Sequence, residues 1–430
     1  MEYSQAILKL KQFKRLGINL GLQRINDMLQ ILGNPEEDFP IVHIGGTNGK
    51  GSTVAMLESM LREAGYRVGV FSSPHLLSHR ERFVINGENI AEKKFVLLFT
   101  EVLETLAEVQ QDTGEIPTEF EILTAMAFLY FAREKVDIAL IEVGLGGDFD
   151  STNVMKKPLL SIITNVSFDH QYCLGNTLGE IAEKKSGIIK QGCPVVTASK
   201  EEEVLQVIRQ KAQNLQAPLW EVWREAIWEG QEETRAGQYF TVQTSQHNYG
   251  RFFLPMRGAH QLENAVTAIL AGEVLQKQGW RMGTQTIKDG LAKVKWSGRL
   301  ELIGQNPLFV LDGAHNPAGF RALAQWLAKK RQEVRRIILV IGMLDDKDGA
   351  RSVCLIEPLV EMVIITRPDS ERTERWRELK DCFQGEGSLF CIENLEEAIK
   401  RAQEEARAED LVLVTGSLHL MGKAREILQN

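Results

Sequence analysis

The sequence has no uninterrupted apolar stretch of membrane-spanning length, no excess of basic residues, and no even set of cysteines at framework spacing. The first absence argues against a membrane anchor. Met1 to Leu20, where Glu, Lys and Arg mix with apolar residues at helical spacing, does not read as a signal peptide. With 50 Lys and Arg against 58 Asp and Glu, the formal net charge of −8 offers no basic face to a nucleic acid. The five cysteines (Cys173, Cys193, Cys354, Cys382 and Cys391) are odd in number and scattered, which excludes a disulfide framework and fits a reducing, cytoplasmic setting. Repeats and low-complexity linkers are also lacking. At 430 residues the chain exceeds one ordinary core, and two units are expected.

What the chain does have is a glycine-rich turn. Apolar residues from Phe39 to Val42 run into Ile44-Gly45-Gly46-Thr47-Asn48-Gly49-Lys50-Gly51-Ser52-Thr53, and a helix follows. Backbone N–H groups of Gly46, Thr47, Asn48, Gly49, Lys50, Gly51 and Ser52, the Lys50 charge and a helix N-terminus form a cradle for the phosphates of a nucleoside triphosphate. The common P-loop pattern places Ser or Thr directly after the lysine. Gly51 stands there instead, so the loop is a variant.

Strand-like runs at Phe39 to Ile44, Arg67 to Phe71, Val136 to Val143, Leu159 to Asn165 and Pro194 to Ala198 alternate with helical segments, the pattern of a parallel α/β sheet. The segment from about Glu119 to Glu134 is apolar nearly all round and should be a deeply packed helix. From Leu219 to Pro255 aromatic and polar residues intersperse, which predicts a few antiparallel strands at one edge. A helix from about Gln261 to Gly279 leads to a turn-rich stretch, Trp296 to Arg299, where a domain boundary is expected: 1–296 and 297–430. The second unit repeats the α/β texture with strands at Leu308 to Asp312, Arg336 to Gly342, Met362 to Thr366, Leu389 to Ile392 and Leu411 to Gly416.

In open α/β sheets, ligand sites gather beyond the carboxyl ends of strands, and several polar signatures fall there. Ser72-Ser73-Pro74-His75-Leu76, followed by Arg80-Glu81-Arg82, either presents Ser73 to a metal and closes over a substrate or is a plain polar turn. Glu142, deep in its apolar run, calls for Mg²⁺ or for a buried cation as partner. His170 could bind a second metal or orient a phosphate oxygen; a zinc pair with Cys173 lacks two further ligands. Lys185, in Glu183-Lys184-Lys185-Ser186-Gly187, is by periodicity only a helix end. Asp312 and His315, in Asp312-Gly313-Ala314-His315-Asn316-Pro317, either face a cleft or belong to a helix cap made by Asp312 or Asn316. The turns Gly342 to Asp348 and Thr415-Gly416-Ser417 are expected to be cleft walls.

Taken together, these motifs, with His260-Gln261, Asn264-Ala265 and Gly298-Arg299, occur in one order over nearly the whole chain. They resemble the folylpolyglutamate synthase and dihydrofolate synthase group of Mur-ligase-like ATP-dependent amide ligases. The resemblance implies an N-terminal P-loop ATPase-type domain with a folate site and a smaller Rossmann-like C-terminal domain. The implied reaction uses ATP to phosphorylate a carboxylate of a reduced folate or of dihydropteroate, and L-glutamate then displaces the phosphate. It further implies that Lys50 touches the phosphates, and that Ser73 and Glu142 hold one Mg²⁺ and His170 a second. Lys185 would be carried as a carbamate that ligates metal or water, and Asn264 and Arg299 would contact nucleotide. Asp312 and His315 would serve ATP closure and glutamate, while Ser73, Pro74, His75 and Arg82 would meet substrate. A monomer is implied, with small-molecule partners only. The chain departs from the group in charge at two places: Asp148 stands where Arg is usual, and Lys184 where Glu is common.

Overall fold

The computed structural model describes residues 1–14, 21–304, 306–385 and 387–429; part of the expected N-terminal helical stretch, 15–20, lies outside them. The first sheet contains β1 (Ile41–Gly45), β2 (Val68–Phe71), β3 (Phe83–Ile85), β4 (Glu88–Asn89), β5 (Ile138–Glu142), β6 (Leu160–Ile163), β7 (Val195–Thr197) and β8 (Leu219–Glu221). Its order is β4-β3-β2-β5-β1-β6-β7-β8. The pairings from β2 through β8 are parallel, and β3 and β4 add an antiparallel edge.

The strands are shorter than the apolar runs that announce them. Glu142, expected deep in its run, is instead the last residue of β5, paired in register with Ile44. It therefore stands beside the start of the glycine-rich turn. β1 and β6 end together at Gly45 and Ile163, so three strand ends open onto one side.

The aromatic stretch after β8 forms β9 (Ala226–Thr234), β10 (Gly237–Thr244) and β11 (Asn248–Leu254), an antiparallel sheet of its own rather than an extension of the first. The third sheet comprises β12 (Glu301–Ile303), β13 (Leu308–Leu311), β14 (Ile337–Ile341), β15 (Met362–Ile365), β16 (Ser388–Cys391) and β17 (Leu411–Thr415), in the order β12-β13-β17-β14-β15-β16. Only β12 runs antiparallel in it.

Two helices cover the two faces of the first sheet. The helix Glu119–Glu134 begins with a capping box in which Thr118 and Glu121 satisfy each other's backbone N–H, and its residues from Glu121 to Phe131 are all buried. The helix Lys50–Glu63, which carries the phosphate loop at its start, is buried from Gly51 to Leu61 because the sheet covers one face and the helices Ala259–Lys277 and Thr284–Ala292 the other. Close approach by Thr284–Ala292 depends on Gly290. A Cβ there would lie 2.6 Å from the Met60 Cα, and Ser59 Oγ donates to the Gly290 carbonyl at 2.6 Å.

Gly290→Ala gains about 1 kcal/mol of helix propensity, but its methyl meets backbone that cannot rotate away. Overpacking of this kind costs about 1–3 kcal/mol, so we expect a lower thermal midpoint, read by calorimetry, and an unchanged one would refute the close-approach argument.

Candidate nucleotide and ligase site

The glycine-rich turn is held open by hydrogen bonds from outside itself. The Thr47 N–H donates to the Asn165 carbonyl at 2.7 Å, and the Asn48 N–H to Asn165 Oδ1 at 3.0 Å. Thr164 Oγ1 donates to the Asn48 carbonyl at 2.6 Å. With these backbone positions pinned by the β6 loop, the turn need not collapse on itself when empty. Gly49 adopts φ 85°, and a Cβ there would lie 2.3 Å from Asn264 Oδ1. Gly51 has a different reason. A Cβ at that position would lie 2.8 Å from the Trp296 ring, so the indole occupies the space that the usual Ser or Thr would need.

Two lysines converge on the turn. Lys50 Nζ donates to the carbonyls of Gly46 and Thr47, both at 3.1 Å, and Lys185 Nζ donates to the Gly46 carbonyl at 3.0 Å. Burial, helped by the Lys50 charge, pushes Lys185 down to about 7. A substantial fraction of Lys185 is therefore a free amine near neutral pH, the form that can add carbon dioxide.

Glu142 accepts from the Ser73 N–H at 3.3 Å. Burial pushes its carboxyl up, against the opposing pull of Lys50, the Ser73 amide, Arg299 and Arg82. Among the described residues no three His, Cys, Asp or Glu side chains form a ready metal cage. One buried carboxylate beside a phosphate loop nevertheless suits Mg²⁺, which is commonly held by one or two carboxylates, phosphates and water.

The C-terminal sheet closes the other side. Asp312 does not cap the following helix; it accepts from the N–H groups of Leu300 and Ala314, both at 3.0 Å, and so fixes the turn after β13. Asn316 is the cap, accepting from the Gly319 N–H at 2.9 Å. Its amide also donates to Asn48 Oδ1 at 3.0 Å and to Asp169 Oδ2 at 2.9 Å. Lys347, from the loop after β14, reaches Asp169 Oδ1 at 2.7 Å and His170 Nε2 at 3.3 Å. The His315 ring lies 3.6 Å from the same carboxylate. Burial alone would raise the Asp169 pKa, but His315, Lys347 and His170 overcome it and hold the group far below the usual carboxylate range. Burial, with Lys347 adding to it, pushes His170 down to about 4 despite Asp169, so that ring is neutral at neutral pH.

All the expected site residues line one cleft of about 360 Å³ except His75 and Arg82. Those two pair with each other beside it, Arg82 Nε donating to His75 Nδ1 at 2.9 Å. Asp169, Lys347 and Asn316 join the two sides; the sequence offered Asn316 only as a helix cap, which it is, and assigned Asp169 and Lys347 no role of their own. The signal for Lys347 was its place in a strand-end turn. Asp148 and Lys184, the two charge departures, face each other at 3.2 Å, so each supplies the other's counter-charge.

A phosphate loop, a carboxylate at a neighbouring strand end and a second α/β unit over the same cleft define an ATP-dependent ligase. The Mur ligase middle domain matches residues 44–272 and the Mur ligase glutamate ligase domain residues 298–418, so the chain belongs to the Mur ligase family. Within it the chain belongs with the folylpolyglutamate and dihydrofolate synthases. It is 38% identical to the Bacillus subtilis dihydrofolate synthase/folylpolyglutamate synthase, over 96% of both chains. It also superposes on Mycobacterium tuberculosis folylpolyglutamate synthase complexed with ADP, with a TM-score of 0.92 and 30% identity over 100% of this chain and 99% of that one. For E. coli FolC in complex with DHPP and ADP the TM-score is 0.88, with 28% identity over 100% and 98%.

Replacing Asp169 by Asn leaves the Lys347 ammonium, 6% exposed, without its counter-charge. Loss of one partner of a buried pair costs about 3 kcal/mol. The folded pKa is depressed, so this stability is present above about pH 4 and is withdrawn as pH falls toward the folded value. Denaturant titrations from pH 3 to 7 should show the variant less stable at neutral pH, with a flatter acid limb; parallel curves would exclude the ion-pair reading.

Proposed function

We propose that the chain is an ATP-dependent ligase that joins L-glutamate to a reduced folate, giving folylpolyglutamate, ADP and phosphate. The observation that carries this is the shared cleft: Lys50 and the glycine turn on one side, Asp312 and His315 on the other, with both lysines aimed at the turn. A folate carboxylate oxygen attacks the γ-phosphorus, the bond to the β–γ bridging oxygen breaks, and ADP leaves with that electron pair. The amine of glutamate then attacks the acyl carbon. The carbon–oxygen bond to phosphate breaks, an amide forms, and the amine loses a proton.

Lys50 supplies fixed positive charge beside the phosphates. Mg²⁺ would be held by Ser73 and Glu142, where it would neutralise triphosphate charge. A second ion would fall to His170 and a carbamate on Lys185; there the Lys347 ammonium now contacts His170, so it would have to yield. Asn264 and Arg299 would contact nucleotide, and Asp312 and His315 would position the glutamate amine. His75 and Arg82 sit beside the Ser73-Pro74 turn, where an acceptor substrate could meet them. The proposed working units are 1–296 and 297–430, in a cytoplasmic monomer. No described helix is long and apolar enough to cross a membrane.

A bifunctional enzyme that also accepts dihydropteroate is favoured by the likeness to the B. subtilis protein, whose name carries both activities. Labelled L-glutamate supplied with ATP and Mg²⁺ to tetrahydrofolate and dihydropteroate in parallel separates the readings. Product from both establishes two activities, product from tetrahydrofolate alone establishes one, and product from neither refutes the proposal.

Lys50→Ala should lower turnover at least a hundredfold with little change in thermal midpoint. Intact-mass measurement in bicarbonate should show one carbon dioxide added to the wild-type chain and none to Lys185→Ala.

A further inference from the structure

The cleft has two chemically different ends. Beyond the phosphate loop on the β5 and β6 side lie Glu142, His170, Lys185 and Lys347, the groups suited to a transferring phosphate. A nucleoside attached to the other end of the triphosphate must project the opposite way, past Asn264, which packs against Gly49. There the cleft runs between the start of the helix Ala259–Lys277 and the helix Pro317–Lys330. Ala318, Ala322 and Leu323 lie at i, i+4 and i+5 on the second helix and give a flat apolar wall fit for the face of a base.

Opposite that wall, on the first helix, is Glu263. It lines the cleft and is half-buried, and its carboxyl has no hydrogen-bond or ion-pair partner among the described residues. A carboxyl group partly withdrawn from water and without a partner gains from a ligand donor. We infer that Glu263 is the residue that selects the base, accepting a hydrogen bond from the exocyclic 6-amino group of adenine and rejecting purines that carry an oxygen there.

Burial pushes the Glu263 carboxyl up to about 7, with Lys200 opposing and Glu201 reinforcing the shift. The ionised carboxylate is acceptor-only, whereas the protonated form carries an O–H that could meet an oxo group, so selection comes from the ionised form, dominant above about pH 7. An oxo group at the same place offers the ionised carboxylate no donor and brings acceptor oxygens together. Discrimination from a buried acceptor left unpaired is typically larger than that from an added or missing methylene.

The inference rests on the nucleotide reading of the phosphate loop, and the test keeps the two apart. Dissociation constants for ATP and for inosine triphosphate, which has oxygen in place of the 6-amino group, are measured by calorimetry on the full chain. The wild type should prefer ATP. Glu263→Ala should shrink that preference by roughly tenfold, the value of one hydrogen bond to a charged group, and Glu263→Gln, whose amide can present either its oxygen or its NH2 to the base, should shrink it too, by holding inosine triphosphate better than the wild type does. An unchanged ratio in Glu263→Ala, or equal weakening of both nucleotides, overturns the inference, since a merely structural role would affect both alike. Glutamate-dependent ADP formation by the wild-type chain is scored separately; its absence would overturn the ligase reading while leaving the base preference to stand or fall on the binding data.

Discussion

The Asp169 carboxylate is the constraint on which the arrangement of the cleft depends. It lies just past β6, in the segment that pins the phosphate turn, and it holds Lys347, Asn316 and His315 from the C-terminal sheet. One oxygen meets an ammonium from the loop after β14, and the other an amide that also holds Asn48 of the turn. Phosphate loop, β6 loop and C-terminal helix start are therefore fixed relative to one another by a few polar contacts around one acid. Because Asp169 and Lys347 are both nearly buried, their attraction is poorly screened, and separating them would expose each to a large solvation change.

The architecture was legible because its signals are local. Parallel strands buried on both faces read as continuous apolar runs, and Gly-rich turns mark their carboxyl ends. Strand ends were less legible: hydrophobicity persists beyond the last ladder pair, which is why Glu142 read as mid-strand although it ends β5. The antiparallel strands after β8 were evident from composition, but their separation into a sheet of their own was not, since nothing local reports which sheet a strand joins.

Within the cleft, residues carried by short motifs were found, and those acting across large sequence separations were not. Gly51 departs from the common P-loop pattern and was expected only through the family resemblance; its physical reason, Trp296 filling the space beside it, lies 245 positions later. Asp148 and Lys184 each looked like a charge anomaly. Together they are an ordinary half-exposed pair beside the helix end that bears Lys185, and their effect on stability is correspondingly small. Lys347 gave no sign beyond its position in a strand-end turn, because its importance comes from a carboxylate supplied by the other unit.

Lys50 and Lys185 both direct their ammonium groups at the Gly46 carbonyl oxygen. A single dipole shared by two cations is a poor counterion, and the Lys185 pKa, lowered first by burial, is lowered further by the Lys50 charge. The empty turn is thus electrostatically frustrated, with more positive charge than its own backbone can neutralise. A polyphosphate entering the turn completes an unfinished balance of charge, so occupancy should tighten the very loop that receives it, and the nucleotide becomes part of the local structure as well as a reactant.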